Sequence, residues 1–167
     1  MKRFNLGFGF WFGLVIIVVF GGVLWFMFRQ EASKRSFLET APTSEIALTC
    51  TTDMATTFHI HPHVTIMVDG KEEALPANIG VTDACMNPLH THETDGILHV
   101  ESPVKRDFTL GDFFLVWKQP FSKTQFMDKT VSGTGSFKMT VDGKEVDTFE
   151  NTVLLDNQQI VLIYNSK

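Results

Sequence analysis

The chain has 167 residues, which is enough for one globular domain and an accessory segment. Of its 14 basic and 19 acidic residues, only Lys2 and Arg3 precede residue 28, so the rest of the chain carries a net charge of −7. That balance argues against nucleic acid as a partner and against a basic lipid-binding surface. The sequence also contains no phosphate-binding glycine loop and no Cys-x-x-Cys pair.

The first element is an apolar run over residues 10–28, which contains no charged or strongly polar side chain. Its 19 residues at helical rise nearly cover a hydrocarbon core of about 30 Å. Trp11 and Trp25 lie near its ends, where amphipathic rings prefer the headgroup level. The run is longer than a typical secretory signal and lacks a small-residue cleavage site. We therefore predict a retained signal anchor, with a cleaved signal peptide as the alternative.

The orientation of the span is less strongly determined, because basic residues flank it on both sides. The acidic charge after the span favours a cytoplasmic N-terminus. Cys50 and Cys85 are the only cysteines, and a disulfide between them would suit an oxidising compartment. We predict a single-pass cell-membrane protein whose C-terminal domain is extracytoplasmic. The predicted segments are a cytoplasmic N-terminus (1–9), a transmembrane helix (10–28), a tether (29–45) and a folded domain (46–167).

The folded domain contains a weak internal repeat. The pentapeptide Val-Asp-Gly-Lys-Glu occurs at residues 68–72 and again at 141–145, each time among alternating apolar residues, which is a strong β-hairpin signal. Between the copies, Thr109 and Asp112 form a candidate capping box that opens an apolar helix, and Pro120 ends it. The sequence thus predicts an α+β fold, with small antiparallel sheets built from two hairpin units and one connecting helix.

All six histidines lie between His59 and His99. Residues two apart in a strand share a face. If Ile60 and Val64 point into the core, the neighbouring histidines point to the opposite face, and the same alternation places His99 and Glu101 on one face. Histidines from separate strands and a loop would then converge above one sheet face. The histidines are His59, His61, His63, His90, His92 and His99.

This clustering predicts a transition-metal site. We predict as ligands His61, His63, His90, His92 and His99. These are more ligands than one ion needs, so the sequence allows either one metal site or two. His59 is a weaker candidate, because the first and third same-face residues of a straight strand are about 13 Å apart. Further candidates are Cys85 and Met86 as soft ligands, and Glu101 and Glu93 as ligand-orienting groups or a general base.

The residue types narrow the choice of metal ion without identifying one. Imidazole suits zinc, copper, iron and nickel, and copper(II) has the highest affinity in the divalent series. Cys85 and Met86 would add soft ligands for copper(I) if the thiol is free. We therefore favour copper over zinc, with iron third.

Several motifs together resemble a family of uncharacterised, membrane-anchored prokaryotic proteins. They are the His-x-His-x-His run at residues 59–63, the Cys85 to Pro103 segment with Leu-His-Thr-His and Gly-Ile-Leu-His-Val-Glu-Ser-Pro, and the Phe-Thr-Leu-Gly-Asp-Phe-Phe run at 108–114. The resemblance covers roughly residues 58–165. It implies a shared scaffold and histidine site, and it names no activity.

These features favour an extracytoplasmic metal-binding protein that holds, delivers or senses an ion, most simply copper. Its partners would be the membrane, the ion and a membrane metal transporter or metalloenzyme. One alternative is a histidine-ligated metalloenzyme, either a zinc hydrolase or an iron or copper oxidoreductase. Another is an interaction domain whose histidines sense pH. The sequence leaves open whether turnover occurs.

Overall fold

The computed structural model describes residues 6–52, 57–131 and 133–167. It divides into two compact units, Met1–Thr40 and Ala41–Lys167. Part of the predicted cytoplasmic N-terminus, residues 1–5, lies outside the described residues.

The described residues of the first unit form one α-helix, α1 (Leu6–Thr40). It is long and apolar enough to cross a membrane, and its apolar side chains between Val15 and Phe28 are exposed, unlike those of a core helix in a soluble protein. Residues 29–40 of the predicted tether continue the same helix, where Arg35 and Glu39 form an exposed pair one turn apart. No separate extended linker is seen in this segment.

The second unit begins at Ala41, earlier than the predicted domain start, because Ala41, Ile46 and Ala47 are buried in its core. The described residues of this unit form two further helices, a 3-10 turn and eleven short strands. The helices are α2 (Thr43–Ala47) and α3 (Leu110–Trp117), and the 3-10 turn is Phe149–Asn151. The strands are β1 (Phe58–Ile60), β2 (His63–Val68), β3 (Lys71–Glu73), β4 (Leu89–His90), β5 (His99–Ser102), β6 (Phe121–Ser122), β7 (Gln125–Phe126), β8 (Lys129–Thr130), β9 (Ser136–Val141), β10 (Lys144–Val146) and β11 (Gln159–Asn165).

The largest sheet has the strand order β10-β9-β11-β2-β3 and contains both predicted hairpins. Each hairpin turns at an Asp-Gly pair in which both residues have positive φ: 49° and 77° at Asp69 and Gly70, and 51° and 77° at Asp142 and Gly143. Positive φ at both central residues is the requirement of the type I′ turn. β11 joins the two hairpins by pairing antiparallel with β9 and parallel with β2. The α+β class is confirmed, although this sheet is mixed rather than purely antiparallel.

The predicted helix is α3, and it begins with the predicted capping box. The Thr109 hydroxyl accepts from the Asp112 amide at 3.2 Å, and the Asp112 carboxylate accepts from the Thr109 amide at 2.9 Å. The helix ends at Trp117, before a left-handed Lys118. Phe113 and Phe114 are fully buried, and the helix packs against α2 and β4. This packing supports β4, the strand that carries His90.

A second, three-stranded sheet has the order β1-β5-β4, and its strands carry three of the six histidines, His59, His90 and His99. Its core face is apolar, with Ile60, Leu89 and Val100 buried. Its register places His59 opposite Glu101 and His90 opposite His99. Histidines from both edge strands therefore flank the central strand on the face away from the core. A small meander, β6-β7-β8, completes the unit.

Candidate metal centre

Five of the six histidines converge beside the sheet β1-β5-β4. Their ligand nitrogens form two groups, and within each group these atoms lie within 4.8 Å of one another. We call them the His59 triad and the His90 triad. The His59 triad is His59, His61 and His99, and the His90 triad is His90, His92 and His99.

The His59 triad is the more open of the two. The ring centroids of His59 and His61 are 4.4 Å apart, and those of His61 and His99 are 4.8 Å apart. The His59 side chain is 44% exposed. In a tetrahedral site with zinc–nitrogen distances near 2.0–2.1 Å, ligand nitrogens are about 3.4 Å apart. Small rotations of these rings would therefore bring three nitrogens onto one ion.

The His90 triad is tighter. The Nε2 atoms of His90 and His92 are only 3.1 Å apart, and the ring centroids of His92 and His99 are separated by 4.8 Å. His90 is fully buried. Two imidazole nitrogens at this separation already have the spacing of two ligands on a single ion.

A network of hydrogen bonds orients His90. Its Nδ1 lies 2.9 Å from the Asn87 carbonyl oxygen, and because a carbonyl only accepts, Nδ1 must carry the proton. Nε2 therefore keeps its lone pair and faces His92. The Asn87 amide nitrogen in turn donates to the carbonyls of Ala47 and Thr49, both at 3.1 Å. This is the usual arrangement in which a second hydrogen bond fixes the tautomer of a metal-binding histidine.

His99 belongs to both triads. Its Nδ1 atom is buried and has no hydrogen-bond partner among the residues that the structure describes. Burial, reinforced by the neighbouring imidazoles, lowers the pKa of His99 to about 4. Burial also lowers the pKa of His90. Both rings are therefore neutral at pH 7, which is the protonation state that coordination requires.

Within the described part of the chain, the carboxylate of Glu101 contacts the imidazole rings of the cluster, whereas that of Asp156 accepts from the backbone amide of His61 at 2.9 Å. The Oε1 atom of Glu101 lies 3.0 Å from His59 Nε2 and 3.9 Å from His99 Nδ1. The Glu101 carboxylate is 16% exposed. It places a negative charge beside the His59 triad and offers an oxygen as a further ligand.

The structure places His63 in neither triad. The chain leaves β1 at Ile60 and enters β2 at His63, so the two ends of the His-x-His-x-His run belong to different sheets. His63 Nε2 lies 2.8 Å from the Asp95 carbonyl oxygen and donates to it. His59, the weaker candidate from sequence, is in a triad because its partners are His61 and His99 and not His63, the residue from which a straight strand would separate it.

The other predicted candidates lie apart from the triads. Cys85 is bonded to Cys50, so the idea that its thiolate binds the metal is wrong. Met86 pairs with Thr51 through two backbone hydrogen bonds of 3.0 Å next to this disulfide. Glu93 is exposed. Sequence reasoning missed Asn87, although an Asn-Pro pair before the His90 segment is typical of a turn with a structural role.

No protein-family model matches this chain, and searches of curated proteins and of solved structures found no match. The resemblance to a membrane-anchored prokaryotic family therefore stays a prediction.

Proposed function

We propose that this protein is a membrane-anchored, extracytoplasmic metal-binding protein that holds, delivers or senses a divalent transition-metal ion. The observation that carries the proposal is the pair of histidine triads that share His99. Their rings converge from three strands and two connecting segments, and one ring nitrogen is buried without a partner among the described residues. A bound ion would satisfy that nitrogen.

The same observation favours metal binding over pH sensing. Five imidazoles surround a single contacting carboxylate, so protonating several of them would bring like charges within about 5 Å of one another. The low pKa of His99 follows from this crowding and from burial. Because His99, the ring common to both triads, has a pKa of about 4, it stays neutral over the range in which a sensor of physiological acidification must change its charge. It is well suited to supply neutral nitrogen ligands.

The donor set favours copper(II) over zinc, with iron third. With Cys85 in a disulfide, no thiolate is available to the cluster, so the ligands are imidazoles and one carboxylate. Such ligands suit borderline divalent ions, and copper(II) binds most tightly in the divalent series. The argument for copper(I) from a free thiol no longer holds.

Two features support the location. The disulfide between Cys50 and Cys85 suits an oxidising compartment, and α1 suits a single-pass anchor. The histidines then face the extracytoplasmic side, where an exchangeable ion would pass to a membrane transporter or metalloenzyme. A groove of about 710 Å³ lies elsewhere in the domain, beside Lys123 and Phe137. None of the residues that line this groove belongs to either triad.

The test is metal analysis of the full chain in detergent micelles. The wild type and the His90→Ala/His92→Ala double variant are incubated separately with copper(II), zinc and iron(II), then dialysed and analysed by mass spectrometry. His63→Gln serves as the control, since it removes a histidine outside both triads. We expect the wild type and the control to retain metal equally and the double variant to lose at least half. Absence of retained metal in the wild type, with a melting temperature that a chelator does not change, would contradict the proposal.

A further inference from the structure

The five clustered histidines form two groups that have one member in common. The ligand nitrogens of His59 and His61 group with His99, and so do those of His90 and His92. The ring centroid of His99 lies 4.8 Å from that of His61 and 4.8 Å from that of His92. His99 is therefore placed evenly between the two halves of the cluster.

An imidazole ring has two nitrogens that point in different directions, and each can bind a metal ion. In His99, Nδ1 lies 3.9 Å from Glu101, whose carboxylate also contacts His59. Nδ1 is thus on the side of the His59 triad. The ring of His99 is stacked on that of His90, with an interplanar angle of 12° and centroids 5.4 Å apart. With Nδ1 on the side of the His59 triad, Nε2 is the nitrogen of His99 that remains for the His90 triad.

We propose that His99 bridges two transition-metal ions, one in each triad. This inference rests on the proposed function and goes beyond it in the number of ions and their coupling. Nδ1 of His99 binds the ion that His59 and His61 hold, and Nε2 binds the ion that His90 and His92 hold. When the second ion binds, the ring releases its remaining N–H proton to solvent and becomes an imidazolate.

The charges of the surrounding groups are compatible with a pair of ions. Two divalent ions on opposite sides of one ring repel each other strongly in a partly desolvated site. The imidazolate places one negative charge directly between them, and Glu101 adds a second beside the His59 triad. No lysine or arginine pairs with Glu101 in the described part of the chain, so the carboxylate is free to offset the metal charge.

Bridging also accounts for the unpartnered nitrogen. If one ion sat in the His90 triad alone, Nδ1 of His99 would stay buried without a hydrogen bond, an arrangement that folded proteins generally avoid. If one ion sat in the His59 triad alone, the Nε2 atoms of His90 and His92 would keep only their mutual hydrogen bond of 3.1 Å. Two ions satisfy both groups at once.

The experiment is a stepwise copper(II) titration of the full chain in detergent micelles. Bound copper is counted by mass spectrometry after size exclusion, and electron paramagnetic resonance (EPR) is recorded at each step. We expect two equivalents per chain, with the EPR intensity per copper falling after the first equivalent because the two spins couple through the ring. His63→Gln should behave like the wild type.

Variants assign each ion to its triad. His59→Ala and His92→Ala should each bind one equivalent with full EPR intensity per copper, and both replaced side chains are exposed, which favours retention of the fold. Saturation of the wild type at one equivalent, or two equivalents with undiminished EPR intensity, would overturn the bridge while leaving the proposed function intact. Absence of any bound copper, zinc or iron would instead contradict the proposed function.

Discussion

His90 and His99 lie directly opposite each other in the antiparallel pair of β4 and β5, and their rings stack 5.4 Å apart. This strand pairing brings His90, whose ring is oriented by its hydrogen bond to Asn87, next to His99 on the central strand of the sheet. It also sets the position of His92, whose Nε2 meets that of His90 at 3.1 Å. The metal-binding capacity of the cluster therefore depends on the register of two short strands.

The first prediction concerns pH. The pKa of His99 is about 4 in the folded protein and near 6.5 in the unfolded chain, so between these values the unfolded state binds more protons. The free energy of unfolding of the metal-free protein should be unaffected by His99 above pH 6.5 and should fall as the pH drops from 6.5 toward 4. Burial of His90 acts in the same direction. Urea unfolding at pH 7.5, 5.5 and 4.5 measures this change in the free energy of unfolding.

The matched variant for that measurement is His99→Asn, which cannot titrate. Its urea midpoint should fall less than that of the wild type over the same pH range. Equal falls in the two proteins would show that His99 does not contribute, and the low pKa would then be wrong.

The second prediction concerns Glu101. Replacement by Gln removes the negative charge but keeps the shape of the side chain. Because the carboxylate contacts His59 and faces His99, copper(II) affinity should fall by about 10–100-fold. Competition with a chromophoric chelator measures the change. Glu93→Gln, at an exposed carboxylate on the neighbouring loop, is the control and should bind like the wild type. Equal copper(II) affinities of the two variants would show that Glu101 does not contribute to the metal site.

The third prediction concerns Asn87. Its side chain donates to two backbone carbonyls, and its own carbonyl accepts from His90. Asn87→Asp replaces the donor by an acceptor, so the loop should shift and His90 should lose its fixed tautomer. We expect metal affinity to fall about 10-fold and the melting temperature to drop. A lower melting temperature with unchanged affinity would mean that Asn87 stabilises the loop without orienting the ligand.

The fourth prediction concerns Gly96, which connects the His92 segment to β5. Its φ is +83°, and an added Cβ would lie 2.7 Å from the Val64 carbonyl oxygen and 3.0 Å from His63 Nε2. Gly96→Ala should therefore lower the free energy of unfolding by several kcal/mol. Gly143→Ala is the matched control, since its φ is +77° with open space around it, and it should cost only about 1 kcal/mol. Equal losses in denaturant unfolding would exclude the steric contact.

Local signals in the sequence predicted the elements that depend on few residues. The Asp-Gly pairs predicted both hairpins because type I′ turns require positive φ at two positions. The capping box at Thr109 predicted the start of α3 for an equally local reason. Strand alternation, which is also local, predicted which histidines share a face, whereas their convergence required the pairing of β1, β5 and β4.

Features set by long-range contacts were not predictable in the same way. The parallel pairing of β11 with β2 joins segments about a hundred residues apart, and no turn motif in the sequence indicates it. The separation of His63 from His59 depends on how sharply the chain bends at Pro62, which a single proline does not specify. The bond between Cys50 and Cys85 depends on the pairing of Thr51 with Met86 across a loop.

The most direct test of the central claim compares two histidine variants in one competition titration. Copper(II) affinities of the full-length wild type, His99→Ala and His63→Gln are measured in detergent against the same chromophoric chelator. Because His99 supplies a ligand to both triads while His63 donates to a backbone carbonyl, His99→Ala should bind about 100-fold or more weakly and His63→Gln should match the wild type. Wild-type affinity in His99→Ala, or an equal loss in both variants, would contradict a metal centre organised around His99.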